Sequence, residues 1–65
     1  MIGAKESLPD VIRRIIGNGR RHVEIVIDEV HVETRESIFR VEDKLSEMRD
    51  SGAIIHHEDD TLEMR

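Results

Sequence analysis

A chain of 65 residues without a single cysteine has neither a disulfide nor a thiolate metal site to hold it together. At this length folding buries only about 60% of the surface that the unfolded chain exposes, so the stability margin is thin. Phe39 is the only aromatic residue, and the core must be built almost entirely from Val, Ile and Leu. Such a chain folds as one small domain on aliphatic packing, on self-association or on a partner. The placement of its branched aliphatic residues therefore decides the architecture.

The stretch SLPDVIRRIIGNG predicts a helix over residues 8–17. Ser7 can cap the free N–H groups, Pro9 suits the first turn, and Asp10 favours the positive end of the helix dipole. Leu8, Val11, Ile12, Ile15 and Ile16 share one face, and Gly17-Asn18-Gly19 supplies residues that tolerate positive φ and stop the helix. The next stretch, RRHVEIVIDEVHVE, is ambiguous. Val23, Ile25 and Ile27 alternate as in a strand, and β-branched residues favour one. Val23, Val26, Ile27 and Val30 also lie at i, i+3, i+4 and i+7, a helical stripe over residues 23–30.

A third helix is predicted over residues 34–51, where Ile38, Val41, Leu45 and Met48 form an apolar row and Gly52 ends the element. Glu33 and Glu36 lie near its start and Arg49 near its end, as the helix dipole favours. AIIHHEDDTLEMR then reads as a hairpin of residues 53–57 and 61–65. The expected class is α+β: three helices followed by a C-terminal β-hairpin. The alternative packs two helices on a three-stranded antiparallel sheet, with residues 22–32 as a strand.

In this order the elements resemble a winged helix-turn-helix. IIGNGRRHVEIVIDEVHV is similar to the end of a first helix, a glycine turn and a second helix, with Val23, Val26, Val30 and Val32 at apolar positions of the second helix and its turn. ETRESIFRVEDKLSEMRDSGAI is similar to the recognition helix with its closing glycine, and AIIHHEDDTLEMR to the wing. The likeness covers most of residues 7–65. It departs in a third helix about one turn longer than the family's spacing and in a β-branched second segment. The resemblance implies a DNA-binding transcriptional regulator, with Arg13, Arg14, Arg35 and Arg40 available to phosphate.

Charge argues for a different task. Residues 1–23 hold five bases (Lys5, Arg13, Arg14, Arg20, Arg21) against two acids, whereas residues 24–65 hold thirteen acids against five bases. On the third helix Glu36, Arg40, Asp43, Glu47 and Asp50 project about 150° away from the apolar row. Four of these five are acidic, and Glu58, Asp59 and Asp60 crowd the hairpin tip. A duplex reader needs Lys and Arg where this chain has carboxylates. The stripe from Glu36 to Asp50 places four carboxylates over about 21 Å, which matches a nucleic-acid strand in sign and in linear order. These residues, with Phe39 as an apolar anchor, would suit the basic nucleic-acid-binding site of a protein partner.

In length and acidity the chain is similar to small phage-encoded anti-CRISPR proteins that imitate DNA and occupy the target-binding site of a surveillance complex. That similarity rests on size and charge and assigns no residue roles. Phe39 has a plainer role available too, as cover for the hairpin or the first helix.

No catalytic arrangement is expected. The chain lacks the nucleophile elbow, phosphate-cradling loop and dinucleotide fingerprint, and GNG alone is a helix stop. His56 and His57 on one strand would point to opposite faces and chelate poorly, so neither a metal nor another cofactor is expected, and no small-molecule substrate. No apolar run approaches the roughly 18 residues of a membrane span, and MIGAKESLPD lacks the apolar segment of a secretory signal. A soluble cytoplasmic protein is the expectation.

Overall fold

A computed structural model describes residues 6–65; of the basic residues counted above, Lys5 lies outside them. The fold is α+β, three helices and a three-stranded antiparallel sheet, in the order α1 (Leu8–Ile16), β1 (Arg20–His22), α2 (Val23–Thr34), α3 (Ile38–Asp50), β2 (Ile54–His56) and β3 (Thr61–Met64). The strands lie in the order β1-β3-β2.

α1 follows from its punctuation. Ser7 Oγ accepts from the backbone N–H of Asp10 at 3.4 Å, Pro9 occupies the first turn, and Gly17 takes φ 63°, ψ −144° to end the helix at Ile16. Val11, Ile12, Ile15 and Ile16 are buried and Leu8 packs beside them.

The ambiguous segment is a helix. Reading residues 22–32 as a strand is therefore wrong, and the stripe of Val23, Val26, Ile27 and Val30 is the reason. Val26 and Val30 are fully buried, with Val23 and Ile27 packed against the same core. Burying that stripe outweighs the few tenths of a kcal/mol per residue by which β-branched side chains disfavour a helix. The His22 ring caps the start, its Nδ1 accepting from the N–H of Glu24 at 3.2 Å. α2 also runs one turn past the expected residue 30. Thr34 Oγ1 donates to the carbonyl of Val30 at 2.7 Å, and Arg35 closes the helix in the left-handed region at φ 62°.

The third helix begins at Ile38, four residues later than expected. Ser37 is its cap, with Oγ accepting from the N–H of Arg40 at 3.2 Å. Val41, Leu45 and Met48 of the expected row are buried, but Ile38 is 49% exposed and lies outside the core. Ile54 and Leu62 add the sheet's contribution.

The hairpin forms close to its expected limits. Its strands pair Ile54 with Met64 and His56 with Leu62, and Asp60 turns the chain at φ 64°. The strand that was not expected is β1, which pairs Arg20 with Glu63 and His22 with Thr61 on the other side of β3. The sheet thus has the three strands of the discarded alternative, but residues 20–22 supply the third. The carbonyl of Asp60 accepts from the N–H of Val23 at 2.8 Å, which ties the hairpin turn to the start of α2.

Candidate functional site

The outward side of α3 carries the strongest functional signal. At 100° per residue, Phe39, Asp43, Ser46 and Asp50 fall within about 60° of one another, opposite the buried Val41, Leu45 and Met48. Phe39 is 81% exposed. It covers neither the hairpin nor α1, because position 39 lies about 160° around the helix from the buried Val41. Ile38 beside it is half exposed, and Val32 on the last turn of α2 is 68% exposed. Ile38 and Phe39 line one groove at the corner between α2 and α3.

The acidic row is less continuous than the sequence implies. Glu36 precedes α3 instead of lying on it, and its carboxylate stands 3.7 Å from Arg40 Nε. Glu47 pairs with Lys44 at 3.2 Å and Asp50 with Arg49 at 3.6 Å. α3 as a whole holds four acids and three bases. Of the carboxylates expected to form the stripe, Asp43 alone has no cationic group within 4.0 Å among the described residues. Glu42, which the sequence reading passed over, is unpaired in the same sense.

At the hairpin turn, Asp60 Oδ1 lies 3.2 Å from His56 Nε2, and Asp59 Oδ1 accepts from both Thr61 Oγ1 (2.6 Å) and the Thr61 N–H (3.2 Å). The Thr61 hydroxyl bond is the main cause that holds the Asp59 carboxyl below the usual aspartate range, with Arg20 adding to it. Glu58 is exposed and has no cationic neighbour within 4.0 Å among the described residues. His57 does not join His56 but faces Glu63 at 2.8 Å. Among the described residues no three His, Asp or Glu side chains converge on a point that could hold a metal ion.

The arginines named for DNA contact are mostly engaged. Arg13 bonds Asp10 at 3.0 Å, Arg14 spans Glu6 (2.9 Å) and Glu33, and Arg40 turns to Glu36. The bond from Arg14 in turn lowers the Glu6 carboxyl below its ordinary range. Arg35 alone of the four has no carboxylate within 4.0 Å among the described residues. Folding also erases the charge division along the sequence. Arg14 reaches Glu33, Arg21 reaches Glu29 at 2.7 Å, and Arg20 lies 3.8 Å from Glu63, so the basic N-terminal part is laid against the acidic remainder.

Sequence reasoning missed Ile38, Glu42 and His31 as parts of this corner. A signal was present: with Val41, Leu45 and Met48 facing inward, a spacing of about 100° per residue puts Phe39 about 160° and Glu42 about 100° away from Val41, while Ser37 before an apolar pair marks the helix start. No protein-family profile matches the chain, and comparison with curated proteins and with solved structures found no match. Among the described residues no helix is long and apolar enough to cross a membrane.

Proposed function

We propose that this chain is a non-enzymatic binding domain that occupies a positively charged, nucleic-acid-binding site on a protein partner. The observation that carries this reading is Phe39, a large apolar side chain 81% exposed on the helix that presents the unpaired Glu42 and Asp43. Exposed aromatic anchors surrounded by a polar rim are the residues that most often hold protein interfaces together. Carboxylates beside such an anchor select a cationic surface and repel phosphate. The hairpin turn, with Glu58, Asp59 and Asp60, adds negative charge of the same kind.

In this reading the domain acts as a DNA mimic in the cytoplasm, and an inhibitor of the anti-CRISPR type is the specific form that its length and acidity favour. The test is capture of a partner on the immobilised domain, followed by a challenge with short duplex DNA. The expected outcome is a nucleic-acid-binding partner that duplex DNA releases competitively and that Glu42→Lys/Asp43→Lys no longer captures. A partner retained in saturating duplex refutes the reading.

A winged helix-turn-helix regulator is the second reading. It is favoured by the order of helix, strand, two helices and hairpin, with β3 central in the sheet. Against it stand the carboxylates that already hold Arg13, Arg14 and Arg40. A gel shift across a salt series separates the two readings: a regulator must bind duplex at physiological salt, with affinity falling steeply as salt rises.

A further inference from the structure

We propose that the corner between α2 and α3 is a docking site for a protein segment that presents an apolar side chain beside an arginine or lysine. The inference rests on the protein-binding reading above and supplies the chemistry of the partner at that site.

His31, Ser37, Ile38, Phe39 and Glu42 line an open groove of about 290 Å³. Its floor is apolar, since Ile38 and Phe39 both face out of the core. The Ser37 cap fixes the backbone on which these two side chains stand, so their spacing is set before anything binds. That lowers the ordering cost of association.

The rim identifies the occupant. His31 Nδ1 lies 2.6 Å from the carbonyl oxygen of Glu36. A carbonyl only accepts, so Nδ1–H donates to it, and Nε2 has no partner among the described residues. Glu42 and Asp43, one turn along from Phe39, have no cation within 4.0 Å among the described residues. The full charges free at this rim among the described residues are therefore carboxylates, and an apolar surface edged by them is complementary to an apolar side chain flanked by a guanidinium or ammonium donor. A second copy of the chain fits poorly, because two such corners would set Glu42 and Asp43 against their equivalents. Nucleic acid fits worse, since its phosphates would face the same carboxylates.

A random peptide library displayed on phage, selected against the intact chain, supplies the probe. Enriched peptides are expected to carry an aliphatic or aromatic residue within a few positions of an Arg or Lys. Their binding should weaken by about tenfold or more on Phe39→Ala and on Glu42→Lys, and less on Glu42→Gln. Phe39 and Glu42 are outside the core, so circular dichroism should show both variants folded. Amide resonances of the labelled protein should move most at His31, Ile38, Phe39 and Glu42 when a selected peptide is added.

The proposal is overturned by a selection that enriches nothing, by peptides lacking basic residues, or by binding that Phe39→Ala leaves unchanged. It is also overturned if the same resonances move with protein concentration alone and sedimentation shows a dimer, for then a second copy is the occupant. The two readings fail separately. A captured partner that ignores duplex DNA removes the nucleic-acid site and leaves the corner standing, whereas Phe39-independent peptide binding removes the corner and leaves the nucleic-acid site to the duplex challenge.

Discussion

Replacing Val30 and Val32 one at a time by alanine tests the reason that α2 is a helix. In a strand, positions 30 and 32 share a face, and the two substitutions would have similar effects. In the helix they part company: Val30 is fully buried, whereas Val32 is 68% exposed. Val30→Ala removes two buried methyl groups at about 0.8 kcal/mol each. Any void that the neighbours fail to fill adds up to about 1 kcal/mol. The better helix propensity of alanine returns about 0.5 kcal/mol. The net loss is about 2 kcal/mol, a large part of the roughly 3–10 kcal/mol expected for a domain of this size. Val32→Ala loses almost no burial and keeps the propensity gain, so it should be neutral or slightly stabilising. Urea unfolding followed by far-ultraviolet circular dichroism measures both, and in a thermal scan Val30→Ala should lower Tm by about 10 °C or more. Equal losses at the two positions would refute the packing argument for the helix.

Three other outcomes follow from the structure. Gly17→Ala should cost about 1–3 kcal/mol in the same unfolding assay, because φ 63° with ψ −144° is a conformation that residues with a Cβ rarely adopt. The folded Asp59 carboxyl is held below its unfolded value, so its contribution is present above about pH 4 and disappears as pH falls through the folded value; carboxyl NMR should show its titration moving upward in Thr61→Val. With any bound partner, Glu58→Lys should slow association in a salt-dependent way, while Phe39→Ala should speed dissociation, as surface plasmon resonance would read directly.

Much of the architecture was legible because local signals and packing agree. Ser7, Pro9 and Gly17 bracket α1 on both sides of an apolar face, and Gly52, at φ 82°, closes the turn into β2. The hairpin is equally plain, since Ile54 and Leu62 are the apolar residues of two short runs on either side of acidic turn residues. β1 was not legible, because Arg20, Arg21 and His22 carry no apolar alternation. Their strand geometry comes from an edge that β3 offers, and only the assembled sheet provides that edge. The start of α3 was misplaced for a more local reason. Glu33 and Glu36 look like first-turn residues, but Thr34 and Arg35 end α2 between them, and the stop and restart occupy only a few residues.

The acidic site was legible in its composition and not in its pairing, and the difference bears on how such a surface would work. Spacings of one, three and four residues place Asp50 beside Arg49, Glu47 beside Lys44 and Glu36 beside Arg40, while contacts across the fold bring Arg14 and Arg21 to Glu33 and Glu29. Exposed pairs of this kind add little stability, commonly 0–1 kcal/mol each. They do cancel the field that a distant partner would feel from α3. What survives is short-ranged: Glu42 and Asp43 around an apolar anchor on the helix. Glu58 remains open to solvent at the hairpin tip. A partner drawn in by the hairpin would still have to be held at the corner, because beyond about 8 Å at physiological salt exposed charges are largely screened. Contact with Phe39 and Ile38 is not screened, so the lifetime of a complex should depend on the apolar residues, and its rate of formation on the carboxylates.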